Sequence, residues 1–209
     1  MKTNLIRAMT VLCAMLIATG QASIDVTKRD IRFDGDGAWA VFYVIDTTSC
    51  ARGTVSEVLV ETSTFTADVN GAHGAGGNTS IGVTVRDNCV NAVVRTVSGA
   101  TTLQELQVDP SLQSASLHCT LPVFDSAAGA FVDMSVDLIW TGMGKIYRDR
   151  HGSVDHYENG MFSSKTYDTS RDAVATGSLI LNGVELTLPL SDAAQVETDA
   201  HRERSLLRY

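Results

Sequence analysis

The stretch that decides the fold is Phe131-Val-Asp-Met-Ser-Val-Asp-Leu-Ile-Trp140. Apolar side chains stand at every second position from Val132 to Trp140, and polar side chains fill most of the positions between them. Neighbouring side chains of a strand point to opposite faces, so this segment buries one face and exposes the other to water. Half-buried strands are typical of antiparallel sheets. The segment therefore predicts an antiparallel all-β fold.

A two-residue hairpin turn is predicted at Asn182-Gly183, because both residue types tolerate the positive φ angles that a type I′ turn needs. This turn pairs Leu181 with Val184 and brings the neighbouring leucines together on one face. It leaves Ile180 on the wetter face.

The run from Ala38 to Ile45 is continuously apolar and predicts a central strand covered on both faces, preceded by a tight turn at Asp34-Gly-Asp-Gly37. Many short strands separated by turn residues favour one β-sandwich domain over residues 23–190, Ig-like or jelly-roll-like, in preference to a barrel. Further strands are expected near 31–33, 54–66, 81–85, 92–97, 103–108, 115–123, 145–149 and 161–167.

Three segments are predicted to lie outside the sheets. Residues 70–80 contain four glycines and are expected to form a flexible loop. The polar segment Asp149–Gly160 is expected to be a loop, with a hairpin tip at Gly152-Ser153. Residues 191–209 follow Pro189 with mixed charge and are expected to be a flexible or weakly helical tail.

The N-terminus has the order of a secretory signal peptide, with positive charge at Lys2 and Arg7, a short apolar run, and then small residues. Cleavage is expected after Ala22, so that residues 1–22 leave the mature protein. The apolar run is shorter than the roughly 20 residues that cross a bilayer, so no membrane span is expected in the mature chain. The protein is therefore predicted to be secreted, either extracellular or associated with the cell envelope.

The chain is acidic, with a formal net charge of −8 over 209 residues. Nucleic acids are bound through clustered Lys and Arg, which an acidic chain does not favour. We expect no nucleic-acid partner and no cofactor. The partner class that remains is an unspecified protein, glycan or surface ligand.

Three cysteines remain once Cys13 leaves with the signal peptide. Cys50 and Cys89 lie in polar, loop-like surroundings, whereas Cys119 lies on an apolar alternation. We predict a Cys50–Cys89 disulfide, which would stabilise the fold by about 3–4 kcal/mol through the closed loop. Cys119 is predicted to be a free, buried thiol.

The segments Val136-Asp-Leu-Ile-Trp-Thr-Gly-Met-Gly144 and Ser170-Arg-Asp-Ala-Val-Ala-Thr-Gly-Ser178 resemble uncharacterised secreted all-β proteins of bacteria. The resemblance runs from roughly Cys50 onward and includes cysteines at positions like Cys50 and Cys89; Cys119 departs from it. The resemblance implies a β fold and export, and it implies no activity.

The densest group of candidate metal ligands is Asp149, His151, Asp155 and His156, because imidazole and carboxylate together suit zinc or another divalent ion. Their spacing matches no zinc motif, so a solvated polar loop is the simpler interpretation. Asp149 and His151 would share a face if the strand extended that far.

Two further motifs have a plain structural explanation. Asp34 and Asp36 offer oxygens for calcium, yet their spacing departs from the EF-hand loop and suits a turn. Asn78-Thr79-Ser80 is an N-glycosylation sequon whose use depends on the producing cell.

The sequence contains no G-x-S-x-G nucleophile motif and predicts no catalytic residue. The favoured hypothesis is a non-catalytic secreted module for binding or structure, with residues 71–80 and 149–160 as its contact segments. The alternative is a secreted hydrolase, possibly metal-dependent, that uses the Asp149–Glu158 cluster.

Overall fold

The computed structural model describes residues 27–48, 51–102 and 105–207. These residues form ten β-strands and contain no helix. No segment among them is therefore a helix able to cross a membrane. The strands are β1 (Thr27–Asp46), β2 (Thr54–Val69), β3 (Ala72–Asp87), β4 (Ala92–Thr101), β5 (Leu106–Val108), β6 (Ser114–Asp125), β7 (Ala130–Tyr157), β8 (Gly160–Leu181), β9 (Val184–Leu188) and β10 (Ala193–Leu207).

All ten strands belong to one antiparallel sheet, so the prediction of an antiparallel all-β fold is confirmed. The strand order is β10-β1-β2-β3-β4-β6-β7-β8-β9, and β10 also pairs with β8. This last pairing makes the strand path ring-like. The predicted division into two packed sheets is not confirmed, because every strand joins the same hydrogen-bonded sheet.

The ring has a closed part and an open half. In the closed part, β4 reaches β6 through three residue pairs, Val97–Gly99 with Val123–Asp125. In the open half, residues 72–78 of β3 are not paired with β4, and residues 147–157 of β7 pair with β8 alone. The open half thus consists of β3, β2, β1, β10, β8 and β7 in that order, with β3 and β7 at its two edges.

Apolar side chains fill the interior of the closed part. Met134, Val136, Leu138 and Trp140 are all buried, as the alternation in β7 predicts. The indole N–H of Trp140 donates a hydrogen bond of 3.0 Å to the backbone oxygen of Trp39 on β1, a strand that does not neighbour β7. The interior is therefore spanned by packed side chains.

The narrow junction of β4 with β6 depends on a close backbone approach and on an ion pair. A Cβ added at Gly99 would lie 2.2 Å from the backbone oxygen of Pro122, so only glycine lets the two strands meet there. At the end of β6, the guanidinium of Arg95 on β4 donates two hydrogen bonds, of 2.6 and 3.0 Å, to the carboxylate of Asp125. This bidentate contact lowers the pKa of Asp125, chiefly through the hydrogen bond from Arg95.

The hairpin prediction is confirmed. Asn182 and Gly183 have φ angles of 51° and 76°, and Leu181 pairs with Val184 as the register requires. Ile180 is exposed, as expected of the wetter face. The apolar run of β1 differs from its prediction, because Ala40 and Phe42 are buried whereas Tyr43 is exposed, so this strand is covered on one face only.

The glycine-rich segment 70–80 was predicted to be a loop, and this is wrong. The turn is confined to Asn70 and Gly71, which have positive φ, and β3 begins at Ala72. Gly76 makes room for an aromatic side chain, since a Cβ there would lie 2.4 Å from the ring of Phe65 on β2. An aromatic ring packed over a strand glycine supplies the burial that glycine lacks.

Three other loop predictions are also wrong. The Asp34–Gly37 segment lies inside β1, and β7 runs through Gly152-Ser153 to Tyr157. The expected tail instead forms β10, which pairs with both β1 and β8. In β7 and β10 charged side chains alternate between the two faces, so the strand period is present without the apolar pattern that normally reveals it.

Cys119 is a free, buried thiol, as predicted. Cys89 is disulfide-bonded. Its predicted partner Cys50 and the predicted signal peptide, residues 1–22, lie outside the described residues. The Cys50–Cys89 pairing and the cleavage site therefore stay predictions.

Candidate functional site

The open half presents two faces that the register defines. The inner face continues the buried face of the closed part, and the outer face is opposite to it. On β1, for example, Ala38 and Ala40 are buried on the inner face, so Asp34 and Asp36 also lie on it. The same alternation assigns each residue of β7, β8 and β10 to one face.

The two faces of β7, β8 and β10 carry opposite charges. The outer face carries six carboxylates and no lysine or arginine within residues 147–157, 160–170 and 197–207. The inner face carries six Lys or Arg side chains and no carboxylate within residues 146–157, 160–171 and 198–207. The outer acids are Asp149, Asp155, Asp168, Glu197, Asp199 and Glu203, and the inner bases are Arg148, Arg150, Lys165, Arg171, Arg202 and Arg204.

Three of the outer acids form a row across neighbouring strands. Asp149 of β7 is directly opposite Asp168 of β8, which is directly opposite Asp199 of β10. Like charges in this position repel each other. The pKa of Asp199 is raised to about 7, so this carboxyl group keeps its proton at mildly acidic pH and the repulsion in the row is reduced. The largest cause is burial; Glu197, Asp168 and a hydrogen bond with the Asp168 side chain add to it.

Two histidines lie beside this row. His151 Nε2 is 2.9 Å from Asp149 Oδ2, and the ligand atoms of Asp149, His151 and Asp168 all lie within 4.8 Å of one another. His201 Nδ1 is 3.1 Å from the hydroxyl of Thr166. Carboxylate and imidazole groups at these distances are the ligands that a divalent ion uses.

The structure brings together two of the four metal ligands that the sequence predicts. Asp149 and His151 are neighbours on the outer face, as expected if the strand continued. Asp155 lies on the same face, but Ser153 separates it from His151, and His156 lies on the inner face. The sequence did not indicate Asp168, which reaches the cluster only through the β7–β8 register.

The Asp149–His151–Asp168 cluster is accessible to solvent. The side chains of His151 and Asp149 are 72% and 60% exposed. Their contact satisfies both groups without a further ligand. The arrangement could hold a metal ion with positions left open for water, and the metal site remains a hypothesis.

The calcium hypothesis for Asp34 and Asp36 loses its turn geometry, because both residues lie within β1. Asp34 forms an ion pair with Arg202 of β10. The pKa of Asp36 is raised, first by burial and second by the nearby charge of Asp34.

The inner face of the open half is a polar surface. A depression of about 240 Å³ is lined by residues of β1, β8 and β10, including Asp36, Tyr167 and Thr198. A second of about 540 Å³ lies between β1, β2 and β3 and includes Arg32 and His73. The guanidinium of Arg150 lies 5.1 Å from the centroid of the Tyr167 ring.

The remaining candidates offer less chemistry. The pKa of the Cys119 thiol is raised, mainly by burial and further by Glu105, which disfavours the reactive thiolate. His118 is exposed opposite the buried face of β6. Asn78 is exposed at the end of the stretch of β3 that does not pair with β4, where a glycan could be attached.

No protein-family model and no curated protein matches the chain. A crystal structure from Nitrosomonas europaea, described as a "putative AttH", is similar at 12% sequence identity with a TM-score of 0.28. The match covers 84% of this chain and 51% of that chain, so this chain spans about half the length of its counterpart. A likeness of this degree carries no argument about fold or function. The resemblance to secreted bacterial all-β proteins stays a prediction.

Proposed function

We propose that the protein is an exported, non-catalytic binding module whose ligand surface is the inner face of the open half. The observation that carries this proposal is the charge segregation of β7, β8 and β10. Six basic side chains project from one face of three hydrogen-bonded strands, and the carboxylates of these strands project from the other. A charged surface held on a rigid ladder is suited to binding without rearrangement.

The distribution of burial supports a binding role in preference to catalysis. The closed part is filled by side chains such as Phe42 and Trp140, which leaves its interior to packing. Asp149 and His151, the closest carboxylate–imidazole pair of the outer face, are open to water, whereas most catalytic sites exclude it. Export rests on the predicted leader, residues 1–22, and on the predicted Cys50–Cys89 disulfide, which an oxidising compartment would favour.

The test is binding of the purified mature chain to an array of immobilised neutral glycans, acidic glycans, proteins and lipid vesicles. We expect at least one class to bind the wild-type protein and to lose that binding in an Arg148→Glu/Arg150→Glu variant. The matched control is Asp155→Ala, which changes the outer face of the same strand. The ligand should be recovered chemically unchanged by mass spectrometry after prolonged incubation. Binding that is indifferent to the inner-face variant, or turnover of the bound ligand, would refute the proposal.

A second candidate is a metal-dependent hydrolase at Asp149, His151 and Asp168, and the convergence of their ligand atoms within 4.8 Å favours it. Metal analysis of the purified protein tests it directly. A stoichiometric transition metal that is lost on His151→Ala and retained on His118→Ala would support this function. A protein whose melting temperature is unchanged by added zinc and by chelator would exclude it.

A further inference from the structure

The inner face contains a row of bases that parallels the row of acids outside. Arg32 of β1 is directly opposite Arg202 of β10, which is directly opposite Lys165 of β8. Like charges in directly opposed positions destabilise a sheet unless counter-charges lie nearby. The row therefore needs negative charge on this face.

The chain supplies that charge at one end of the row only. Arg202 pairs with Asp34, and Arg32 lies 3.7 Å from Asp30. Among the residues that the structure describes, Lys165, Arg148 and Arg150 form no ion pair, and the guanidinium of Arg150 lies over the Tyr167 ring. The bases nearest the β7 edge are thus left for an external anion.

These bases are close enough to act on one ligand. Arg148 and Arg150 are two residues apart on one strand face, a separation of about 7 Å. Lys165 is opposite Gly152 and so diagonal to Arg150, about 7–8 Å away. Arg171 lies on the same face of β8, but its Nε is buried against Gly142, so this atom is out of reach of a ligand.

We propose that this surface binds an acidic polysaccharide, with Arg148, Arg150 and Lys165 holding its carboxylate or sulfate groups; the inference rests on the binding function proposed above. Each base donates charge-assisted hydrogen bonds to an acidic group of the chain. The hydroxyl groups of Thr169 and Thr198, which share the face, are available to the sugar hydroxyls.

The surface favours a glycan over a peptide. The backbone of β8 is hydrogen-bonded to β7 on one side and to β10 on the other, so a ligand above this face meets side chains alone. A peptide laid there would have its own backbone groups desolvated without partners, and a peptide that joined the free edge of β7 would point every second side chain toward the acidic outer face. A polysaccharide carries its recognition groups on its periphery.

The surface also favours a flexible chain over an anionic bilayer. Asp34 and Asp36 lie on the same inner face, on the neighbouring strand β1. A flat sheet of negative headgroups would be pressed against these carboxylates and against a chain of net charge −8. A polysaccharide can follow the bases of β7 and β8 and leave β1 uncovered.

The test measures binding of the mature chain to polygalacturonate and to dextran sulfate by calorimetry, with uncharged dextran for comparison. We expect saturable binding to at least one acidic polymer and none to dextran. Arg148→Ala/Arg150→Ala should weaken binding by at least about tenfold, the effect of losing one charge-assisted hydrogen bond. Arg148→Lys/Arg150→Lys should restore most of it. The Asp155→Ala variant should bind like wild type, and salt should weaken binding of all of them.

Each of the remaining outcomes would overturn a defined part of the proposal. Equal binding to dextran, or an alanine variant with unchanged melting and unchanged affinity, would overturn the glycan site. Tighter binding to phosphatidylglycerol vesicles or to polyglutamate would replace the ligand class and leave the binding function standing. If the inner-face variant changes binding to no member of the array described above, both proposals fail together.

Discussion

Replacing Asp199 with asparagine should make the protein more stable at alkaline pH and have little effect in acid. Asp199 lies at the end of the Asp149–Asp168–Asp199 row, and its pKa is raised to about 7. In the unfolded chain the same carboxyl would titrate near 4. The folded protein therefore binds a proton in the interval between these values that the unfolded chain has released.

The sign of the pH dependence follows from that difference. Between about pH 4 and pH 7 the folded state of the wild type holds more protons, so its stability falls as the pH rises, and above pH 7 the loss is complete. The full difference in pKa corresponds to at most about 4 kcal/mol. Asp199 is only partly buried, and solvent screening reduces the expected gain of Asp199→Asn to about 1–2 kcal/mol. Asparagine keeps a side-chain amide able to donate to Asp168 and carries no charge.

The assay is thermal unfolding of wild type and Asp199→Asn at pH 4, 6 and 8 in the same salt. A gain of this size in a domain of this length raises the melting temperature at pH 8 by about 2–8 °C. The matched control is Asp155→Asn, on the same outer face but opposite Phe162, where no carboxylate is directly across. The reasoning would be refuted if Asp199→Asn gave the same shift at pH 4 and pH 8, or if Asp155→Asn reproduced its pH profile.

Three further results are expected. Trp140→Phe should destabilise the fold by about 2–3 kcal/mol in urea titration, because it removes the N–H that bonds the Trp39 oxygen and leaves a cavity where the second ring of the buried indole was packed; an unchanged stability would contradict this. Gly99→Ala should cost about 1–3 kcal/mol, because its Cβ would meet the Pro122 oxygen, whereas Gly82→Ala, at a strand position with open space and no positive φ, should cost less in the same titration. Cys119 should resist thiol labelling in the folded protein and react in denaturant; rapid native labelling would contradict its burial.

Hydrophobic periodicity predicted the closed part of the sheet well. Met134, Val136 and Leu138 alternate with polar residues and are buried, and the Asn182-Gly183 turn sets the register of β8 with β9. Where every second side chain is apolar, burial of one face decides both the strand and its orientation. How the strands connect into one ring was not predictable, because the β8–β10 pairing joins residues whose faces carry charge.

The strands of the open half were not predicted from the sequence, and the reason is physical. These strands are held by the hydrogen bonds of the ladder, and the sign of the charge alternates along them, as in Arg148-Asp149-Arg150. Every residue of such a segment is polar, so there is no alternation of apolar and polar side chains. Composition-based reasoning interprets such a segment as a solvated loop. The alternation of charge sign was visible in the sequence, and it was the signal that would have extended β7 and β10.

The candidate sites depend on register more than on sequence spacing. Between Gly142 and Ile146 the β7–β8 pairing contains a bulge in which β7 uses two more residues than β8. Because the two faces alternate with a period of two, an even number of extra residues keeps Arg148 on the inner face and Asp149 on the outer face, whereas an odd number would exchange them. Gly144, with a φ of 66°, lies within this bulge and adopts a conformation that other residues rarely take. A short irregularity next to the core thus decides which charges face Asp168 and which are left for a ligand, and no reading of residues 145–157 alone could have supplied that information.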